Sequence, residues 1–137
     1  LRFAGAFADI VGVNPSIHSG EIDADAARDA QADRIDQKLE WVREGAGDRF
    51  DDLELNAWVA AAAFTADPVG FADQVAPLFG AADGEEPLSS PMTLIGNVAS
   101  LIDELNRRRD RWGYSYIVVP GDHARAFAPL VAALTGT

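Results

Sequence analysis

The sequence holds no cysteine, one methionine, two histidines and two tyrosines among its 137 residues. Without cysteine there are no disulfides and no thiolate metal sites, which fits a reducing cytoplasm, the expected compartment. Positive charge is scarce too: 11 Lys and Arg stand against 22 Asp and Glu, a formal net charge of −11. A nucleic-acid backbone or an anionic membrane would call for a basic face, so neither is an expected partner. Long apolar runs are missing as well. The most apolar stretch, 57–64, falls far short of the ~20 residues that span a bilayer. No basic region leads into a long apolar core near the start, so no signal peptide is read. The HExxH, GxSxG, Walker and dinucleotide-glycine patterns are absent. Asp23, Asp25, Asp29 and Asp33 spread around a helix rather than forming a cage, and no metal is expected.

What is present is enough for one domain with a real core, since 48% of the residues are hydrophobic. The stretch from Ser90 to Val119 is the most informative. Val98, Leu101, Ile102, Leu105 and Trp112 fall on one helical face. Asn97 supplies an N-cap and Gly113 a C-terminal stop. Asp103 and Glu104 precede Arg107, Arg108, Arg109 and Arg111, which suits the helix dipole and sets up 103/107 and 104/108 pairs. Tyr114 to Val119 then reads as a strand covered on both faces, as in a parallel sheet.

Taken in order, 1–7 reads as the tail of a helix and Ala8 to Val13 as a buried strand stopped by Asn14-Pro15. A polar loop at 16–21 leads to a helix over 24–44, capped by Asp23 or Asp25, with Ile35, Leu39 and Val42 at core spacing. Leu53 to Phe64 is the second strand region, although its alanine run also has helix propensity. Asp67-Pro68 starts a helix over 68–79, the segment 81–91 is a loop or a broken turn, and a last helix covers 122–134, with Pro129 inside it expected to kink it or to confine its start. The pattern predicts α/β architecture with parallel strands near 8–13, 53–59 and 114–119, joined by right-handed crossovers.

LRFAGAFADIVGVNPS at 1–16, VREGAGDRFDDLELN at 42–56 and SPMTLIGNVASLIDELNRRRDRWGYSYIVV at 90–119 together resemble the C-terminal portion of the luciferase-like monooxygenase family, in its deazaflavin (coenzyme F-420) dependent branch. The resemblance implies a fold, a chemistry and a partial domain. Residues 1–137 would be the C-terminal part of a (β/α)8 barrel of bacterial-luciferase-like type, as three consecutive βα units with parallel strands. The activity implied is hydride transfer or monooxygenation on a small organic substrate, with coenzyme F-420, or alternatively FMN, as cofactor. The family's glycine-rich phosphate segment lies ahead of the residues that Leu1-Arg2 resemble, and Asn97 stands where the family has Thr or Ser. The chain opens on Leu1, as a fragment or processed product would, and as an unusual start or trimmed product would also.

Candidate site residues follow from position. Gly96 and Asn97, at a helix N-terminus, offer backbone N–H groups to a cofactor phosphate, though such a pair also serves simply as a cap. His123, Asn14, Ser16, Thr65 and Asp67 occupy strand-end positions where barrels build active sites, and where turns and caps are equally at home. No catalytic residue is identified. Tyr114, Tyr116 and Val118 are expected to face the barrel interior. Three strands leave two open edges, so self-association is expected, and a non-catalytic assembly module is the alternative reading.

Overall fold

The computed structural model describes residues 1–17, 20 and 23–136, so the polar loop expected at 16–21 lies partly outside the described residues. The helices are α1 (Arg2–Phe7), α2 (Ala24–Asp29), α3 (Ala32–Ala46), α4 (Pro68–Val75), α5 (Glu85–Ser89), α6 (Val98–Trp112) and α7 (Ala128–Leu134). Interleaved with them are strands β1 (Ile10–Gly12), β2 (Glu54–Trp58), β3 (Ala61–Phe64), β4 (Thr93–Gly96) and β5 (Tyr114–Val118). One sheet has the order β1-β2-β5 and a second pairs β3 with β4; every pairing is parallel. The three expected strands are therefore present in an α/β arrangement. Among the described residues they do not close into a barrel, and β1 and β5 are sheet edges.

Local chemistry sets most boundaries. α6 starts where Asn97 Oδ1 accepts the Ser100 N–H at 3.0 Å. It stops at Gly113, whose φ of +75° no side-chain-bearing residue adopts cheaply. Asp67 caps α4 ahead of Pro68, and Asp23 caps α2. Pro129 sits in the first turn of α7 and confines its start, as a missing N–H allows.

Tertiary context overrides local reading at several points. The helix expected over 24–44 breaks at Ala30-Gln31 into α2 and α3. Of the alanine run 60–63, Ala61 to Ala63 are strand, because β4 pairs with them residue for residue from Ala61↔Thr93 to Phe64↔Gly96. β4 itself escapes the sequence pattern, since four residues are too few to show a period. The expected loop at 81–91 contains the short helix α5. The helix expected over 68–79 tightens into a 3-10 turn at 76–79, and the 122–134 helix is a 3-10 turn at 121–123 followed by α7. The 103/107 pair does not form; Arg107 and Arg108 both reach Glu104.

One face of the three-stranded sheet is packed and the other is largely open. Val11, Val13, Leu55, Ala57 and Tyr114 form the packed face with Ile35, Leu39 and Val42 of α3 and with Trp112, all nearly inaccessible. A second cluster joins Val59, Leu94, Leu101, Phe127 and Leu130 beneath α6 and α7. The opposite face carries Ile10, Asn56, Trp58, Tyr116 and Val118; Asn56 and Trp58 are half-buried, while Ile10 is 51% exposed and Tyr116 45% among the described residues. β5 is thus covered on one face only, contrary to the expectation from its sequence. Tyr114 also departs from the expected interior set. The register slips between Leu55 and Asn56, so that Leu55 faces Tyr114 and Asn56 faces Tyr116. This turns Tyr114 to the helix side, where its hydroxyl donates to the Val13 carbonyl at 2.8 Å. Val98, placed on the apolar stripe by spacing, is 36% exposed at the helix start.

Leu39 is 1% exposed inside the packed face, so Leu39→Ala should cost about 2–5 kcal/mol in chemical denaturation. Leu105 is only half-buried, and Leu105→Ala should cost roughly half as much. Equal losses at the two sites would show that the packed face has been misassigned.

Candidate functional site

Parallel strands place the segments that follow them at one end of each sheet, and the candidate residues 14, 16, 65, 67, 97 and 123 all lie in such segments, with Gly96 the last residue of β4. Most of their polar atoms are spent on the chain itself. Asn14 Oδ1 accepts the Trp58 N–H at 2.8 Å, tying the end of β1 to β2. The Ser16 N–H donates to Asp29 Oδ2 at 2.8 Å. Thr65 Oγ1 accepts from the Asp67 N–H at 3.0 Å, and Asp67 Oδ1 accepts from Gly70 N–H at 2.9 Å. These are turn and cap roles. His123 is half-buried within a short 3-10 turn.

Gly96 and Asn97 are the exception in part. Gly96 has a φ of +158°, and a Cβ there would meet Ser100 Oγ at 2.5 Å, so glycine is the residue the turn accepts. Its carbonyl accepts the Thr65 N–H at 3.0 Å, which joins the β3 and β4 loops. Asn97 is exposed and spends Oδ1 on Ser100, while the Ser100 hydroxyl donates to the Asn97 carbonyl at 3.0 Å. The next two amides, of Val98 and Ala99, make no hydrogen bond among the described residues and stand at the positive end of a 15-residue helix. Two such amides fit a phosphate oxygen and no more.

Two buried cations went unrecognised in the sequence. Arg108 is 3% exposed and donates to the carbonyls of Pro91 (2.9 Å), Ser90 (3.2 Å) and Thr93 (2.7 Å), with its Nε on Glu104 at 2.7 Å. It clamps the approach to β4 onto α6. Lys38, 5% exposed, donates to the carbonyls of Asn14 (3.1 Å) and Asp29 (2.9 Å) and to Asp29 Oδ2 (2.6 Å). It ties both ends of the segment between β1 and α3. The available signal was spacing: Arg108 falls on the stripe of Leu101, Leu105 and Trp112, and Lys38 on that of Ile35, Leu39 and Val42. Its three acceptors leave the Lys38 ammonium with no role as a nucleophile.

Electrostatics follow these contacts. Burial pushes the Lys38 ammonium below its ordinary value, and the Asp29 hydrogen bond and charge only partly oppose it. Burial would raise Asp29, but the Lys38 and Ser16 hydrogen bonds and the Lys38 and Arg34 charges outweigh it and hold the carboxyl low. Asp36 is held low by the Arg111 hydrogen bond, against burial, with help from the Trp112 indole N–H at 2.7 Å. Burial pushes the Tyr114 phenol well up, against the Arg108 charge. Two clefts of ligand size exist. A polar one of about 640 Å³ lies beside Asn14, Ser16, Arg34, Lys38 and Trp41, and an apolar one of about 520 Å³ lies between α6, β5 and α7. Among the described residues no three His, Asp or Glu side chains stand close enough to hold a metal, and no helix is long and apolar enough to cross a membrane. Arg108, Lys38, Asp29 and Asp36 are engaged with backbone and with neighbouring side chains, a scaffolding role.

Removing Arg108 strands three carbonyls and a carboxylate, so Arg108→Ala should cost about 3–5 kcal/mol, as breaking a buried charge pair does. Arg108→Lys should recover only part of this, because an ammonium lacks the guanidinium fork. Full recovery by lysine in denaturant titration would refute the clamp. A carboxyl held below its ordinary 3.8 when folded adds stability that is complete above 3.8 and is lost as pH falls through the folded value. Asp36→Asn should therefore flatten the fall in urea midpoint between about pH 5 and about pH 2. An unchanged slope would remove Asp36 from the account.

No family model, no curated protein and no solved structure matches the chain.

Proposed function

We propose that residues 1–137 contribute the closing βα units of a luciferase-like (β/α)8 barrel. That barrel moves a hydride between coenzyme F-420, or FMN, and a small organic substrate. The open sheet face carries this reading. A parallel sheet ordinarily has both faces covered, by helices outside and by layered side chains inside a barrel. Here helices cover one face, while Ile10, Tyr116 and Val118 stand exposed on the other, where a barrel interior would be. The three quoted sequence stretches support the same assignment. Within it, the Val98 and Ala99 amides at the start of α6 would hold one phosphate oxygen, with Asn97 fixing the turn. The cofactor supplies the redox chemistry, and this chain's part is binding, orientation and exclusion of water.

A second reading has its own observation. Both edges of the three-stranded sheet are unpaired among the described residues, which suits a non-catalytic module that assembles through them.

The test is a fluorescence titration with deazaflavin and with FMN on two products: residues 1–137 alone, and the product of the whole reading frame that contains them. The barrel reading expects micromolar binding by the whole product and none by residues 1–137. It also expects at least a tenfold loss on Asn97→Asp in the whole product, which places a negative charge at the helix start; tenfold is about 1.4 kcal/mol. Micromolar binding by residues 1–137 alone, or none by the whole product, would contradict it.

A further inference from the structure

The two free edges of the three-stranded sheet have opposite shapes. On the β1 side α1 runs into the edge strand and leaves Phe3 77%, Phe7 73% and Ile10 51% exposed. The Phe3 and Phe7 rings sit 4.8 Å apart and form one raised aromatic pair. The helix that carries them is held rigidly, because Gly5 and Gly45 let α1 and α3 touch backbone to backbone: a Cβ on Gly45 would lie 1.9 Å from the Arg2 carbonyl oxygen. On the β5 side the apolar cleft of about 520 Å³ lies open between α6 and α7, floored by β5 and walled by Leu105, Ile117, Val131 and Leu134. Two large exposed apolar features on one acidic domain are more than scattered surface residues account for.

We propose that these features are the two halves of one interface between copies of this chain. The Phe3–Phe7 pair of one copy enters the α6–β5–α7 cleft of the next and brings β1 alongside β5. The inference rests on the assembly reading above and names its surfaces. Size agrees, since the cleft lies within the range that accepts compact aromatic groups. Strand direction agrees as well: β1 beside β5 in the same sense continues a parallel sheet. Two β5 edges meeting about a two-fold axis would run antiparallel and leave every aromatic pair in water. Because the halves differ, the contact is heterologous and repeats from copy to copy. Each copy carries a net charge of −11, so copies repel at long range, and added salt should strengthen an apolar contact of this kind.

The experiment is sedimentation equilibrium on the wild type, on Phe7→Asp, on Val131→Asp and on their equimolar mixture, each checked for fold by circular dichroism. Phe7 and Val131 are both exposed, Val131 by 59%, so neither substitution should unfold the chain; Phe3→Ser replaces Phe7→Asp if it does. The wild type should exceed the 14.6 kDa monomer mass, and do so more at higher concentration and salt. Each variant alone should be monomeric. The mixture should reach twice the monomer mass and stop, since only one intact knob and one intact cleft can meet. A mixture that stays monomeric overturns the head-to-tail arrangement. Folded variants that associate like the wild type overturn these surfaces while leaving assembly through other edges standing. A folded wild type that is monomeric at every concentration overturns both.

Discussion

A single guanidinium holds the second half of the molecule in register. Arg108, sealed beneath α6, donates to the carbonyls of Ser90, Pro91 and Thr93 and is balanced by Glu104 one turn earlier. The backbone entering β4 has no long sheet to satisfy it, for β4 is four residues long and, among the described residues, pairs with β3 alone. An arginine can do this where a lysine cannot, because its planar fork meets several acceptors in fixed directions. Through β4 the clamp also fixes Gly96 and Asn97, so the start of α6 is set from 11 residues further along that helix. The loss of water around such a charge is large, and full hydrogen bonding is what makes its burial tolerable.

Lys38 plays the matching part in the first half. Its ammonium joins the carbonyls of Asn14 and Asp29, and Asn14 in turn holds Trp58. The segment after β1, the end of α2, the middle of α3 and the end of β2 are therefore linked by one cation and one amide. The two cations have the same logic: each sits on the apolar face of its helix and reaches beyond the hydrophobic layer to loop backbone. What remains unsatisfied is larger in scale. A sheet with one open face and two free edges is an incomplete object, and both functional readings are ways of completing it, by a barrel or by other copies.

The sequence made α6 and the place of β5 legible, because stripe, N-cap, glycine stop and β-branched run agree there; the structure follows them to the residue at both ends of α6, while β5 is covered on one face only. The core positions Ile35, Leu39 and Val42 were equally plain, being 0%, 1% and 0% exposed. β4 was invisible because four residues carry no period, and β3 was ambiguous because alanine prefers helix when nothing pairs with it. The turn of Tyr114 to the helix side came from a register slip, which depends on the neighbouring strand and leaves no trace in alternation. Of the candidate site, the cap at Asn97 was readable from residue type alone. That Asn14, Thr65 and Asp67 are spent on turns was not, since the same residues serve caps and ligands alike.

The central claim is that the two sheet edges are surfaces meant to be covered. Residue-resolved amide hydrogen exchange, followed from dilute to concentrated protein, tests it most directly. The account predicts that outward amides of β1 and β5 exchange fast when dilute and become protected together as concentration rises, while those of β2 stay protected throughout. Fast exchange along both edges at every concentration, with β2 still protected, would contradict it.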